Sequence, residues 1–212
     1  MNPADLRLFM APRAPNPRRV QMFIAEKGIV GIPEVAVDLN AQEHRSEAFR
    51  ARSPLAKVPA LELPDGRVLT ETRAICTFIE GWHPDPNLMG VDATERAFIE
   101  MADRRVEWYF LLPIGNCIHH THPGLAPLEQ PQFPDFGRSQ GEKLRETAAW
   151  LDAELQRQPW MAGERFTIAD ITAFCALEFA KLMRFSAGAE GFAALQDWRD
   201  RVAARPSASL VA

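Results

Sequence analysis

With 212 residues, 47% hydrophobic and 25% charged, the chain can build one large or two small domains with ordinary cores. Its net charge of -4 argues against a broad basic face for nucleic acid or for an anionic membrane. No apolar run approaches bilayer-spanning length, and the opening Met1-Asn2-Pro3-Ala4-Asp5 lacks the basic and apolar regions of a secretion signal. Cys76, Cys117 and Cys175 are far apart and form no C-x-x-C, which points to a reduced, cytoplasmic protein.

Leu6-Arg7-Leu8-Phe9-Met10 alternates as a short strand. Ala11 to Pro17 carries three prolines and reads as a loop. Asn16-Pro17 reads as an N-cap followed by proline at the first helical position. The helix carries Val20, Phe23 and Ile24 on one face and stops at Gly28. Glu34 to Leu39 is predicted as a second strand, and Glu43 to Arg52 as a polar helix or helical loop. A strand follows at Val58-Pro59, then a Pro64-Asp65-Gly66 turn, a short strand Arg67 to Leu69, and a helix from Glu71-Thr72 to Glu80.

Proline at the first residue of a strand donates nothing to a ladder. With Val58-Pro59 cis, the N–H and C=O of Val58 point outward, free to pair with an extended ligand. The helix opening at Thr72 offers N–H groups and a positive dipole end, a seat for a carboxylate, to which the Thr72 hydroxyl adds a donor. Together these features describe a site for a short peptide with a carboxylate at one end.

Trp82-His83-Pro84-Asp85-Pro86-Asn87 is a breaker cluster and reads as a linker. Beyond it the pattern is helical. Asp92 to about Leu112 places Phe98, Met101, Ala102 and Tyr109 roughly on one stripe, and Pro113 to Pro134 is expected to be irregular. Gly137 to about Gln158 places Leu144, Ala148, Leu151 and Leu155 on one face. Phe166 to about Phe185 is apolar nearly all round, as in a buried helix, and a last helix covers about Phe192 to Ala203. Thr167-Ile168-Ala169-Asp170 reads as a capping box, worth about 0.5–2 kcal/mol of stability.

The run Lys57-Val58-Pro59-Ala60-Leu61 followed by Leu69-Thr70-Glu71-Thr72 resembles the glutathione-binding half of the glutathione S-transferase family. That family's pattern is a Val-Pro strand start followed by Glu-Ser or Glu-Thr at a helix start. Gly163-Glu164-Arg165-Phe166-Thr167-Ile168-Ala169-Asp170 is similar to the cap of the buried helix in the family's C-terminal domain. On these motifs the chain is identified as a cytosolic-type member of that family, bacterial theta-like or nu-like. The resemblance implies a thioredoxin-like, glutathione-binding domain over 1–82, a linker over 83–91 and an all-helical domain over 92–212. It implies a cytoplasmic homodimer, with the helix from Glu71 to Glu80 and the first helix of the second domain at the two-fold axis. Glutathione is the implied co-substrate, with no metal, no nucleic acid and no membrane.

The implied activity is attack of the glutathione thiolate on a small hydrophobic electrophile. Two alternatives remain beside it: a glutathione-dependent disulfide-bond reductase, as nu-like members suggest, and a non-catalytic ligand-binding member. By resemblance Thr72 and the helix N–H groups take the γ-glutamyl carboxylate, and Glu71 orients donors or meets the ammonium group. Val58, before Pro59, pairs with the cysteinyl backbone, while Lys57 and His44, with Arg45, meet the glycyl carboxylate. The family's thiol-activating loop corresponds here to Ala11 to Arg18, which holds no Ser, Thr, Tyr or Cys. Ala14 stands where a hydroxyl is expected. Asn16 is the remaining neutral donor and the candidate catalytic residue, with Arg13 and Arg18 as helper cations.

Trp108, Tyr109 and Phe110 are candidates for an acceptor pocket expected between the domains, against the plainer reading of a core aromatic run. Asp103, Arg104 and Arg105 are candidates to face the cleft or a partner subunit, against the default of a solvated helix face. His119-His120-Thr121-His122 invites a metal reading, which the lack of a neighbouring Cys or carboxylate at ligand spacing argues against. A polar loop is the expectation there.

Overall fold

The structure, a computed structural model, describes residues 1–209; positions 210–212 of the expected helical domain lie outside the described residues. The chain forms two compact units, Met1–Asn87 and Leu88–Ser209.

The first unit holds β1 (Arg7–Met10), α1 (Pro15–Glu26), β2 (Glu34–Ala36), α2 (Glu47–Arg50), β3 (Ala60–Glu62), β4 (Val68–Thr70) and α3 (Thr72–Trp82). The four strands make one sheet in the order β2-β1-β3-β4. β1 and β2 are parallel, as a β-α-β crossover requires, and β1/β3 and β3/β4 are antiparallel. This is the thioredoxin-like arrangement expected. Phe9, Val37, Phe49 and Ala60 form one core cluster, with Leu39, Val58 and Val68 packed on it. α1 and α3 pack against each other and bury Val20, Met22, Phe23, Ile75 and Ile79.

The expected second strand ran to Leu39, but β2 ends at Ala36. Asp38 stops it: its Oδ1 accepts the N–H groups of Asn40 and Ala41 at 2.8 and 3.0 Å, bending the chain into an Asx turn. Gly66, at φ +83°, closes the β3–β4 hairpin with its N–H on the Leu63 carbonyl at 2.9 Å.

The second unit is helical: α4 (Ala93–Val106), a π-helical turn (Glu107–Leu111), α5 (Leu112–Thr121), α6 (Pro134–Leu155), α7 (Ile168–Ala180), α8 (Ala193–Ala203) and α9 (Pro206–Ser209). Asp92 caps α4 by accepting from the Thr94 and Glu95 N–H groups. α7 is buried nearly all round, and its capping box is present in full. The Asp170 carboxylate also accepts from Met161 N–H and Trp198 Nε1, both at 2.9 Å.

One expectation fails here. The segment from Pro113 is helical to Thr121, not irregular. Pro113 brings no N–H to the turn before it. The backbone responds with the π turn, and the Tyr109 carbonyl accepts instead from the Thr147 hydroxyl of α6 at 2.7 Å. The segment after α5 is then tied down by Gln132, whose Nε2 donates to the carbonyls of His119 and His122 at 2.6 and 3.0 Å. Among the described residues no helix is long and apolar enough to cross a membrane.

Candidate functional site

Strand register brings the predicted residues of the first unit to one end of its sheet. Ala60 opposes Thr70, so continuing this antiparallel pairing sets Val58 opposite Thr72. Phe9 opposes Ala60, so the same continuation on the other side sets Ala11 opposite Val58. The loop after β1, the Val58-Pro59 segment and the start of α3 therefore meet at this end.

Val58-Pro59 is cis, as expected. Pro59 is buried and Val58 half-buried. No hydrogen bond from the described residues reaches the backbone N–H or C=O of Val58. Before it, the buried Ser53 clamps the Lys57 backbone: Ser53 Oγ donates to the Lys57 carbonyl at 2.8 Å and accepts from its N–H at 3.2 Å. The Lys57 side chain is exposed.

Glu71 precedes α3 with φ +66°, a left-handed value that costs a non-glycine residue about 1–3 kcal/mol. It is exposed and makes no side-chain cap. Thr72, the first residue of α3, is buried, and its Oγ1 donates to the Asn16 carbonyl at a long 3.4 Å. The starts of α1 and α3 are thus in contact.

The reading of Asn16 as the N-cap is corrected. α1 begins at Pro15, Ala14 holds the cap position, and no side chain caps the helix. The cause lies in the preceding turn, where Arg13 takes φ +69° and Ala14 N–H bonds to the Ala11 carbonyl at 3.3 Å. That turn starts the helix one residue before Asn16. Asn16 is exposed, and its Oδ1 accepts from Arg19 Nη1 at 3.1 Å. Its Nδ2 donates to nothing among the described residues. Pro15 and Pro17 remove two N–H donors from the first turn, leaving that of Asn16 between them. Arg18 is buried, with Nε and Nη2 lacking a hydrogen-bond partner among the described residues.

His44 lies in a short 3-10 turn, Glu43–Arg45, and is buried. Its Nδ1 is buried without a hydrogen-bond partner among the described residues. Burial, then the positive charges of Arg45, Lys57 and Arg50, push its pKa down, which keeps the imidazole neutral at pH 7. The same cations surround it with positive potential. His44 and Lys57 are thus brought together, as are Asn16 and Thr72. Sequence reasoning missed Arg19 and Ser53. The spacing of Arg19, three residues beyond Asn16 on one helix face, is the signal that finds it.

In the helical unit Asp103 is wholly buried rather than solvated, accepting from Thr172 Oγ1 at 2.6 Å and Arg104 Nη2 at 2.7 Å. Trp108 and Tyr109 are exposed, whereas Phe110 is buried. His119 and His120 lie on the last turn of α5 rather than in a loop. A carboxylate does approach them: Glu129 comes within 3.4 Å of His119 Nδ1 and 3.9 Å of His120 Nε2. Phe133 N–H donates to His120 Nδ1 at 3.1 Å, which makes that nitrogen an acceptor and occupies its lone pair. Among the described residues no group of three or more His, Cys, Asp or Glu is placed to hold a metal ion.

Residues 14–81 match the family model described as glutathione S-transferase, N-terminal domain, and residues 126–206 match glutathione S-transferase, C-terminal domain. Glutathione S-transferase 2 of Saccharomyces cerevisiae is 33% identical over 202 residues, 94% of this chain and 86% of that protein. The crystal structure of Gtt2 from Saccharomyces cerevisiae superposes with a TM-score of 0.92 at 32% identity, covering 97% of this chain and 100% of that one. A glutathione S-transferase domain-containing protein of Marinobacter aquaeolei gives a TM-score of 0.89 at 40% identity, covering 95% and 99%.

Proposed function

The chain belongs to the glutathione S-transferase family, and on that footing we propose that it binds glutathione through its first unit and ionises the thiol for attack on a small hydrophobic electrophile. The observation that carries this reading is the meeting of three backbone features at one end of the sheet: the N–H and C=O of Val58, unpaired among the described residues, the start of α3 at Thr72 and the first turn of α1 at Asn16.

The cysteinyl residue of glutathione pairs with Val58, beyond the cis bond to Pro59. Its γ-glutamyl carboxylate takes the Thr72 hydroxyl and the N-terminal end of α3, with Glu71 beside its ammonium group. The glycyl carboxylate falls to Lys57 and His44. The neutral imidazole of His44 and the surrounding cations suit a carboxylate better than they suit a second cation. The binding role belongs to residues 1–82, followed by the linker over 83–91 and the helical domain. The protein works as a homodimer.

Asn16 holds the thiolate. Lowering a thiol pKa by two units requires about 2.7 kcal/mol of preference for the charged form. A hydrogen bond to a charged group contributes about 1.5–3 kcal/mol. A helix N-terminus adds about 0.3–1 kcal/mol, but two prolines thin the donors of this one, so the weight falls on Asn16. The thiol proton leaves to water. The sulfur lone pair then forms the new bond to the electrophilic carbon as the leaving group departs with its electrons.

Calorimetry with glutathione and a conjugation assay with a generic aromatic electrophile test the proposal. Micromolar to millimolar binding with turnover is expected. Binding without turnover, or no binding at millimolar glutathione, overturns it.

A further inference from the structure

We infer that Arg19 is a positioning residue, whose buried guanidinium holds Asn16 in the one amide orientation that turns its NH₂ group, rather than its oxygen, toward the thiol. The inference rests on the role given to Asn16 above.

An asparagine amide is nearly symmetric in shape and opposite in chemistry at its two ends. Its NH₂ stabilises a thiolate, while its oxygen repels one. An unrestrained Asn16 would divide its time between the two orientations. The usual restraint, a capping bond to the helix's own N–H groups, is missing here. Ala14 holds the cap position, Pro17 has no N–H, and Arg18 N–H is engaged by the Ala14 carbonyl at 3.3 Å.

Arg19 supplies the restraint instead. It lies one turn along α1 from Asn16, is almost fully buried, and donates from Nη1 to Asn16 Oδ1 at 3.1 Å. A guanidinium has donors and no acceptor. Flipping the amide would therefore set its NH₂ against an N–H of the same polarity. The orientation with the oxygen on Arg19 is the one that survives, and it leaves Nδ2 exposed and unengaged by the described residues. The cation also draws electron density toward Oδ1, which strengthens the amide N–H groups as donors. Arg18, two residues from Asn16 and so about 200° around the helix, cannot share this task.

The test places Arg19→Met and Arg19→Lys in the native chain and Arg19→Met also in Asn16→Ala. Bound glutathione is titrated by the ultraviolet absorbance of its thiolate, affinity is read by calorimetry, and folding by circular dichroism. Arg19→Met should raise the pKa of the bound thiol by about one unit, roughly tenfold less thiolate below that pKa. Read at a pH below the bound-thiol pKa, where every variant binds the protonated thiol, the glutathione dissociation constant should move less than about threefold, because the rest of the site is untouched. Arg19→Lys keeps a cationic donor and should retain most of the native ionisation. In the Asn16→Ala background Arg19→Met should add no further shift.

Equal shifts in both backgrounds would make Arg19 an independent charge, overturning this inference and leaving the role of Asn16 intact. No shift from Arg19→Met where Asn16→Ala does shift the pKa overturns it as well. If Asn16→Ala itself leaves the pKa unchanged, the Asn16 reading falls and this inference falls with it. Should Arg19→Met not fold, Arg19→Gln carries the same comparison. Its neutral donor should preserve part of the ionisation in the native chain and have no effect in Asn16→Ala.

Discussion

Thr72→Val is the sharpest perturbation of the proposed glutathione site. Valine keeps the shape of threonine and replaces the hydroxyl with a methyl group. In the native protein that hydroxyl makes one long bond, 3.4 Å to the Asn16 carbonyl, so its loss should change folding stability by less than about 0.5 kcal/mol. Glutathione sees a larger change. A buried hydroxyl donating to a carboxylate contributes about 1.5–3 kcal/mol, so the dissociation constant should rise roughly ten- to 150-fold. A thermal shift reads the same loss by linkage. Ligand at one hundred times the native dissociation constant stabilises by about 2.7 kcal/mol, and a hundredfold weaker site retains only about 0.4 kcal/mol of that. Thr72→Ser keeps the hydroxyl and should bind within about threefold of native. Calorimetry on the three proteins decides the matter. A Thr72→Val dissociation constant within threefold of native would refute the placement of the γ-glutamyl carboxylate at the start of α3.

The remaining predictions concern the frame of each unit. A Cβ added at Gly137 would lie 2.7 Å from Thr121 Cγ2 and 3.0 Å from His120 Cβ, whereas one at Gly141 meets Cys117 Sγ at an ordinary 3.4 Å. Gly137→Ala should therefore destabilise by about 1–3 kcal/mol, and Gly141→Ala should be neutral or stabilise by up to about 1 kcal/mol, by urea denaturation. The buried Lys27 ammonium contacts Glu80 Oε2 at 2.5 Å and donates to the Pro84 and Pro86 carbonyls at 3.1 and 2.7 Å, pinning the segment after α3. Lys27→Met should cost about 3–5 kcal/mol, since it takes the cation from the half-buried Glu80 carboxylate and the donor from the Pro84 and Pro86 carbonyls; a loss under 1 kcal/mol would contradict this. Asp170→Ala strands the Met161 and Thr167 N–H groups and the Trp198 indole N–H, for a loss of about 3–5 kcal/mol. Burial outweighs the donors around Asp170 and pushes its carboxyl up to about 6. A raised folded-state pKa gives stability that is fully present below about 4 and is lost as pH rises through 6. The gap between native and Asp170→Ala should accordingly narrow between pH 4.5 and 8, and a gap that widens would reverse the argument.

Where local chemistry and tertiary packing agreed, the fold was legible in the sequence. The capping box at Thr167 and Asp170 is a pattern of four residues, and the bonds it implies lie within those four. The parallel β1–β2 pair follows from a β-α-β order whose crossover leaves little choice. Pro113 misled because a proline has two readings, helix breaker or first-turn residue. The choice depended on Thr147, thirty-four positions away, offering a hydroxyl to the Tyr109 carbonyl. Asp103 misled for a related reason. Beside Arg104 and Arg105 it looks solvated, and only the arrival of Thr172 from α7 makes its burial tolerable. No spacing rule connects residues sixty-nine positions apart.

The same distinction runs through the site. Val58, Pro59 and Thr72 announce themselves because backbone geometry there depends on residue type: proline at a strand start, threonine at a helix start. Asn16 was found as a residue and misplaced as a cap, and the error is instructive. Asn-Pro is a favourable cap pair, yet Ala-Pro precedes it by two residues, and proline serves equally well at either first helical position. The turn from Ala11 to Ala14, with Arg13 in the left-handed region, selects the earlier start. An asparagine relieved of capping has both ends of its amide available. One end is taken by Arg19, and what remains is an exposed pair of donors at the meeting of two helix starts. In a loop that carries alanine at position 14 and no hydroxyl or thiol side chain, this start of α1 leaves the Asn16 amide clear of the capping role, and that freedom is what the proposed action on the thiol requires.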